Sequence, residues 1–242
     1  MKNFNLVTMA MVIGAAFVCS SCIIAINAIP IKGNGNIVTS TRSVSSFEKI
    51  HISGSVEVRF HESQEYRASV TVDSNLDEYT EVYVTGNVLN IRTRNGFIYS
   101  FTKLLVDVYC PVLTGVSVSG LGYFEGTDKI ITPSFTSEIS GSGKISGTIE
   151  CGYFSAKITG SGKVVVSGNS EYSNVSISGS GDFYGDTFIV NTAVVSISGS
   201  GNAYIYAANS LKADISGSGT VLYRGNPQVD SKISGSGRVK KI

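Results

Sequence analysis

Val175-Ser176-Ile177-Ser178-Gly179-Ser180-Gly181 is repeated letter for letter as Val195-Ser196-Ile197-Ser198-Gly199-Ser200-Gly201. The closing tetrapeptide, SGSG or a one-letter variant, begins at residues 140, 159, 178, 198, 216 and 234, in steps of 19, 19, 20, 18 and 18. A degenerate copy, SGLG, occupies residues 119–122. An apolar residue precedes every copy: Val118, Ile139, Ile158, Ile177, Ile197, Ile215 and Ile233. A fixed period of this length marks a stacked, quasi-one-dimensional architecture. It is too short for a helical hairpin and suits one coil of a β-solenoid.

The local chemistry agrees. Apolar and small polar residues alternate around each tetrapeptide, and period two places alternate side chains on opposite faces. Val, Ile, Thr, Tyr and Phe dominate the runs, as in strands. The glycine pairs Gly141/Gly143, Gly160/Gly162, Gly179/Gly181, Gly199/Gly201, Gly217/Gly219 and Gly235/Gly237 mark a corner between two short strands, and all twelve are expected to be turn residues. Glycine there permits positive φ and close approach of neighbouring coils. The second residue after each corner is also apolar (Phe124, Ile145, Val164, Phe183, Ala203, Val221, Val239), giving a second inward column. With strands about 4.8 Å apart, the six clear repeats span roughly 29 Å. The corner residues Ser140, Thr159, Ser178, Ser198, Ser216 and Ser234 are read as a structural hydroxyl ladder.

Residues 47–112 carry strand-like runs with fewer glycines and more charge, and read as irregular solenoid or as a small β-sheet cap. The expected architecture is all-β: a right-handed parallel β-helix with coils of 18–21 residues and a less regular N-terminal portion. A single elongated domain is expected over 47–242, regular from 113 onward.

The N-terminus reads as a targeting segment. Lys2 precedes an apolar core at residues 6–18, then Cys19-Ser20-Ser21-Cys22. Small residues before a cysteine resemble a bacterial lipobox, which implies a signal peptide over 1–21, lipidation of Cys22 and a tether with a leading strand over 22–46. Cleavage after Ala28, or a membrane span continuing through Ile23-Ile24-Ala25-Ile26, are the alternatives. Of four cysteines, Cys110 and Cys151 remain in the body of the chain. Their separation of 41 residues, near two coils, predicts Cα atoms about 9–10 Å apart. That is beyond the ~7 Å limit of a disulfide, so two free, buried thiols are expected.

Composition narrows function. Charged residues make up 15% of the chain and the net charge is +1, which gives no electrostatic case for nucleic acid. After the corner glycines stand Tyr123, Lys144, Lys163, Asp182, Asn202, Thr220 and Arg238. That column lacks the repeated aspartate of calcium-binding solenoids, so no metal or other cofactor is expected. Glycoside cleavage needs two carboxylates facing each other across roughly 5–9.5 Å. Glu138, Glu150, Glu171, Asp182, Asp186, Asp214 and Asp230 do not pair at matching positions of adjacent coils. The two histidines, His51 and His61, read as exposed strand or turn residues. The aromatic residues are the better lead. Three positions after the corner, Tyr184, Tyr204 and Leu222 should point outward on neighbouring coils, with Tyr206 and Tyr223 close by. Such a strip can dock a sugar face or a protein. Arg238, Lys240 and Lys241 charge the last strand and oppose end-to-end growth, while a lateral oligomer stays open.

Gly33-Asn34-Gly35-Asn36, Phe47-Glu48-Lys49-Ile50 leading to Ile52-Ser53-Gly54, the V-x-V-x-x-P of residues 106–111 and the SGSG series together resemble the "putative auto-transporter adhesin, head GIN domain" family over roughly residues 33–240. Leu121 departs from the pattern by replacing the middle serine of one repeat. The resemblance implies a parallel β-helix and an exported protein or lipoprotein of a Gram-negative envelope, with no catalytic residues to carry over. The expectation is therefore a non-catalytic envelope module, lipid-anchored to the outer membrane, that presents a flat face to a glycan or protein. A carbohydrate-active enzyme on the same scaffold and a periplasmic accessory protein are the alternatives.

Overall fold

The computed structural model describes residues 30–242. The expected signal peptide and the lipidation site at Cys22 lie outside the described residues.

The repeats become long strands that run from one glycine corner to the next: Lys144–Gly160, Lys163–Gly179, Asp182–Gly199 and Asn202–Gly217. Each pairs in parallel with the coil before it. In this register Ile139, Ile158, Ile177, Ile197, Ile215 and Ile233 form one continuous column. Phe124, Ile145, Val164, Phe183, Ala203, Val221 and Val239 form a second one across the corner. Both columns are buried except at the last coil, where Ile233 is 44% exposed, with no coil among the described residues stacked over it. This is a parallel β-solenoid, and its core is the line along which these columns meet. Larger side chains fill the wider parts: Phe154 contacts Phe183 and Phe188, with ring centroids 6.0 and 4.9 Å apart.

The unequal repeat lengths do not disturb the corners. Register shifts between Val165 and Ser167, between Gly185 and Ile189, and between Val190 and Thr192 absorb the difference. Extra residues are thus taken up as bulges away from the glycine line, where a strand can bend without breaking the next ladder.

The corner needs glycine twice, but the two members of each pair do different jobs. The first has positive φ, as at Gly199 (+126°), where a side chain would also meet the Gly179 carbonyl oxygen. The second members, Gly143, Gly162, Gly181, Gly201, Gly219 and Gly237, have no positive φ and serve the other expected role, close approach of the coils. They do not make the bend; they clear space for it. Each faces the apolar column of the preceding coil. A Cβ at Gly143 would lie 2.6 Å from Val118 Cγ1, and one at Gly237 would lie 2.6 Å from Ile215 Cγ2. At Gly162 the obstructing group is Ile139, and at Gly219 it is Ile197. Gly143 and Gly162 are buried under the next coil, whereas Gly237, on the last one, is only half-buried.

The N-terminal half is both of the things expected of it. Lys49–Gly54 and Glu57–Glu62 make a true coil with a corner at Gly54. On one side it stacks against Val88–Thr93 and Leu104–Cys110, and on the other against Gly115–Gly120 and Tyr123–Gly126. Spatial order therefore departs from chain order: the chain lays one coil, returns to build beneath it, then continues above. Beyond that lowest coil the pairing turns antiparallel. Ile37–Ser43 pairs with Arg67–Asp73, which pairs with Leu104–Cys110, and Thr80–Thr85 pairs with Val88–Thr93. These strands close one end of the stack.

Within the expected tether and leading strand over 22–46, the chain already joins this cap. Ile31–Lys32 pairs in parallel with Tyr99–Ser100. The following Gly33–Asn36 turn is held by Asp73, a wholly buried carboxylate that accepts N–H bonds from Gly35 (2.8 Å), Thr102 (2.8 Å) and Lys103 (3.5 Å). Burial pushes its pKa up, and the converging backbone donors outweigh that and hold it below the ordinary carboxylate value. Among the described residues the opposite end has no such cover: every residue of Gln228–Gly235 is exposed, and this strand pairs on one side only.

Both body cysteines are free, but only Cys110 is buried; Cys151 is half-buried. Its Sγ lies 3.6 Å from Ser170 Oγ.

Candidate binding surface

Two outward faces meet along the glycine corner. On the far side, three positions past it, Val165, Tyr184, Tyr204, Leu222 and Lys240 form one register column. The Tyr184 and Tyr204 rings stack at 4.9 Å with 12° between their planes. Asp182 braces them: its carboxylate accepts from Asn202 Nδ2 at 2.9 Å and from the Tyr184 hydroxyl at 3.4 Å. Burial and the adjacent Asp182 charge raise the Tyr184 pKa, so the phenol stays protonated and neutral. Tyr206 also faces outward, in register with Ile189, itself 49% exposed, and with Arg224. Arg224 pairs with Asp186 at 3.4 Å.

Tyr223 does not join this strip. It shares register with Ile205, which is 2% exposed, and it packs against the core from the inward side. Strand alternation explains the correction. Tyr206 and Tyr223 fall on opposite parities of neighbouring strands, so proximity in sequence is a poor guide to facing.

The near side of the corner carries a feature that the sequence-based strip does not include. Ser176, Ser196, Asp214 and Lys232 form an outward column beside the corner residues Ser178, Ser198, Ser216 and Ser234. Between them runs a shallow trough of about 430 Å³ over the isoleucine backbone. A second hollow of about 360 Å³ continues the same two columns, one through Lys157, Glu138, Ser117 and His51 and the other through Thr159, Ser140 and Ser119. The corner hydroxyls are exposed and in register. A polar-x-Ser/Thr spacing before each corner, Ser-x-Ser at Ser176/Ser178 and Ser196/Ser198, is the signal for this face, because alternation turns both polar residues outward.

The histidines are half-buried and engaged rather than exposed. His51 Nδ1 lies 2.7 Å from Ser117 Oγ. His61 stacks on Tyr109 (4.9 Å, 19°), with Nε2 3.0 Å from Asp107 Oδ1 and Nδ1 3.2 Å from Thr127 Oγ1. Asp107, His61 and Thr127 thus line up in the order of a nucleophile triad. The Thr127 hydroxyl, however, donates to the Phe60 carbonyl, which turns its proton away from the imidazole. Three of the carboxylates weighed for hydrolysis are held singly: Glu150 by Lys129, Glu171 by Asn191, Asp186 by Arg224. Among the described residues no group of three or more His, Cys, Asp or Glu is placed to hold a metal ion.

The family described as "putative auto-transporter adhesin, head GIN domain" matches residues 46–227. The chain belongs to this family. Three solved structures share the fold, and each is covered over its full length. A putative adhesin from Bacteroides fragilis has a TM-score of 0.84 at 22% identity over 88% of this chain. A putative lipid binding protein from Parabacteroides distasonis has a TM-score of 0.74 at 25% identity over 88%. A putative adhesin from Parabacteroides merdae has a TM-score of 0.67 at 24% identity over 89%. No curated protein matches the chain. The head GIN match takes in most of the cap and all but the last coil, so the Tyr184–Tyr204–Leu222 strip and most of the trough lie within it.

Proposed function

We propose that this head GIN protein is an exported, non-catalytic binding module of the cell envelope, anchored through a lipid on Cys22. It displays the Tyr184–Tyr204–Leu222 strip to an extended glycan or protein segment. The observation that carries this reading is the stacked, outward pair Tyr184–Tyr204, braced by Asp182 and continued by Leu222 in the same column. Rigid aromatic faces with a polar handle suit sugar rings and protein side chains alike. Every surface column repeats along the solenoid axis at the strand spacing of about 4.8 Å, so a ligand lying along that axis meets equivalent groups in succession. The names given to the family and to two of the structural relatives point the same way.

Glycan-array and pull-down binding by the wild type, compared with a Tyr184→Ala/Tyr204→Ala double variant, tests the site. The loss of one stacked pair costs about 0.5–1.5 kcal/mol, so the variant remains folded and binding falls. Undiminished binding by a folded variant refutes the strip. Globomycin-sensitive processing and mass spectrometry of the mature N-terminus test lipidation at Cys22. Protease shaving of intact cells separates surface display from a periplasmic location.

A further inference from the structure

The capped end of the solenoid carries an apolar tip. In the segment between Val88–Thr93 and Leu104–Cys110, Phe97 and Ile98 are 49% and 52% exposed. The tip is braced from behind. Phe97 contacts Tyr79 and Tyr99 with centroids 5.6 and 6.1 Å apart, and Tyr79 and Tyr99 lie 5.6 Å from each other. The Tyr99 hydroxyl donates to the Arg94 carbonyl at 2.9 Å. Two large apolar side chains are therefore held out into solvent on an ordered aromatic base, where burial elsewhere in the fold would have been favourable.

The position of the tip says what covers it. Ile31 donates its N–H to the Ile98 carbonyl at 2.8 Å. The strand beside the tip is thus the first described one, directly after residues 1–29. No charged residue stands between Lys2 and Lys32 in the sequence. Ile31 follows Cys22 by only nine residues; even fully extended they reach at most about 30 Å. Whether that segment is lipidated or spans the bilayer, it keeps the tip within about 30 Å of the membrane. Phe and Ile outermost, tyrosines behind them and the exposed Lys32 and Lys103 alongside match the layering of a bilayer interface.

We infer that the Phe97–Ile98 tip inserts into the lipid bilayer beside the N-terminal anchor and so fixes the solenoid axis relative to the membrane. The inference rests on the anchored reading above. The register column Asp107, Arg59, Glu125, Ser146, Val165, Tyr184, Tyr204 counts six strand spacings. The aromatic strip then stands roughly 29 Å along the axis from the lowest coil.

The chain contains no tryptophan, so Phe97→Trp introduces a single reporter and Tyr204→Trp a reference. Each full-length variant is reconstituted into phosphatidylethanolamine–phosphatidylglycerol vesicles, with and without brominated acyl chains. Indole emission from Phe97→Trp is expected to shift to the blue, to be quenched several-fold by brominated lipid and to resist iodide. Emission from Tyr204→Trp is expected to do none of these. Ile98→Trp repeats the measurement if the first variant disturbs the aromatic base. A chain that floats with the vesicles while the reporters at positions 97 and 98 both ignore brominated lipid overturns the tip insertion alone, whether iodide reaches them or protein covers them. A chain that does not float overturns the anchoring and this inference with it.

Discussion

Replacing Gly199 by alanine tests the stacking argument at one of its tight corners. The residue has φ +126°, a conformation that L side chains rarely adopt, and an added Cβ would meet the Gly179 carbonyl oxygen of the coil below. No rotamer relieves that contact, because a Cβ has none and the opposing atom is backbone. The strained φ costs about 1–3 kcal/mol. Forcing two packed layers apart adds about 1–3 kcal/mol more. The sum, roughly 2–6 kcal/mol, is a large part of the ~5–15 kcal/mol that holds a typical domain folded. At ~3 °C per kcal/mol for a chain of this size, melting should fall by on the order of 6–18 °C. Gly86→Ala is the control: its φ is also positive (+62°), but nothing lies within 4 Å of the added Cβ. That change should cost only about 1–2 kcal/mol. Because each coil touches only its neighbours, the damage should be regional. Amide exchange should quicken from residue 199 to the C-terminus and stay slow in the cap. Circular dichroism melts combined with hydrogen-exchange mass spectrometry read both effects. If Gly199→Ala melts no lower than Gly86→Ala, the coils are not packed backbone to backbone at the corner.

Three further outcomes follow from the cap and the thiols. Asp73 has a lower pKa folded than the ~3.9 of an unfolded chain. The stability it contributes is therefore present above the unfolded value and is lost as pH falls through the folded one. Asp73→Asn should lower the melting temperature at neutral pH, with the gap to wild type closing in acid; a gap independent of pH refutes the clasp. Burial pushes the Cys110 thiol up to about 12 and also raises Cys151, which is only half-buried. Thiolate is the reactive form, so maleimide should label the native protein slowly, Cys151 before Cys110, and both promptly in denaturant; equal native rates refute the burial difference. Separating Cys110 from solvent also makes Cys110→Ser costly, by about 1–3 kcal/mol for an ill-partnered hydroxyl in an apolar site, measurable as a shifted urea midpoint.

Regularity makes the solenoid legible. Ile177, Ile197 and Ile215 can be placed in one column because each is fixed by its offset from a glycine pair that recurs at nearly constant spacing. The pair itself reads only in part. Spacing locates Gly199 and Gly201 alike, but whether a glycine turns the backbone or yields to a neighbour's isoleucine depends on what the coil below presents. The cap carries no such marker. Val88–Thr93 and Leu104–Cys110 stack beneath Lys49–Gly54 and Glu57–Glu62, yet their composition would suit either side of that coil, so the inverted order is written only in long-range pairing. The outward placement of Tyr184 and Tyr204 follows from counting past the corner. Tyr223 fails the same count, since it falls one position beyond Leu222. The serine trough is hidden by its ordinary composition: Ser176 and Ser178 look like any strand serines until stacking aligns them with their counterparts.

An end closed by antiparallel strands and a body of interchangeable turns make the molecule a ruler with a fixed zero. In-frame duplication of one turn of about 19 residues would push the far tip outward by about 4.8 Å without altering a single contact in the closed end, and deletion would retract it by the same step. Reach can therefore be tuned by copy number, while the outward columns of the repeats and the closed end are free to change independently.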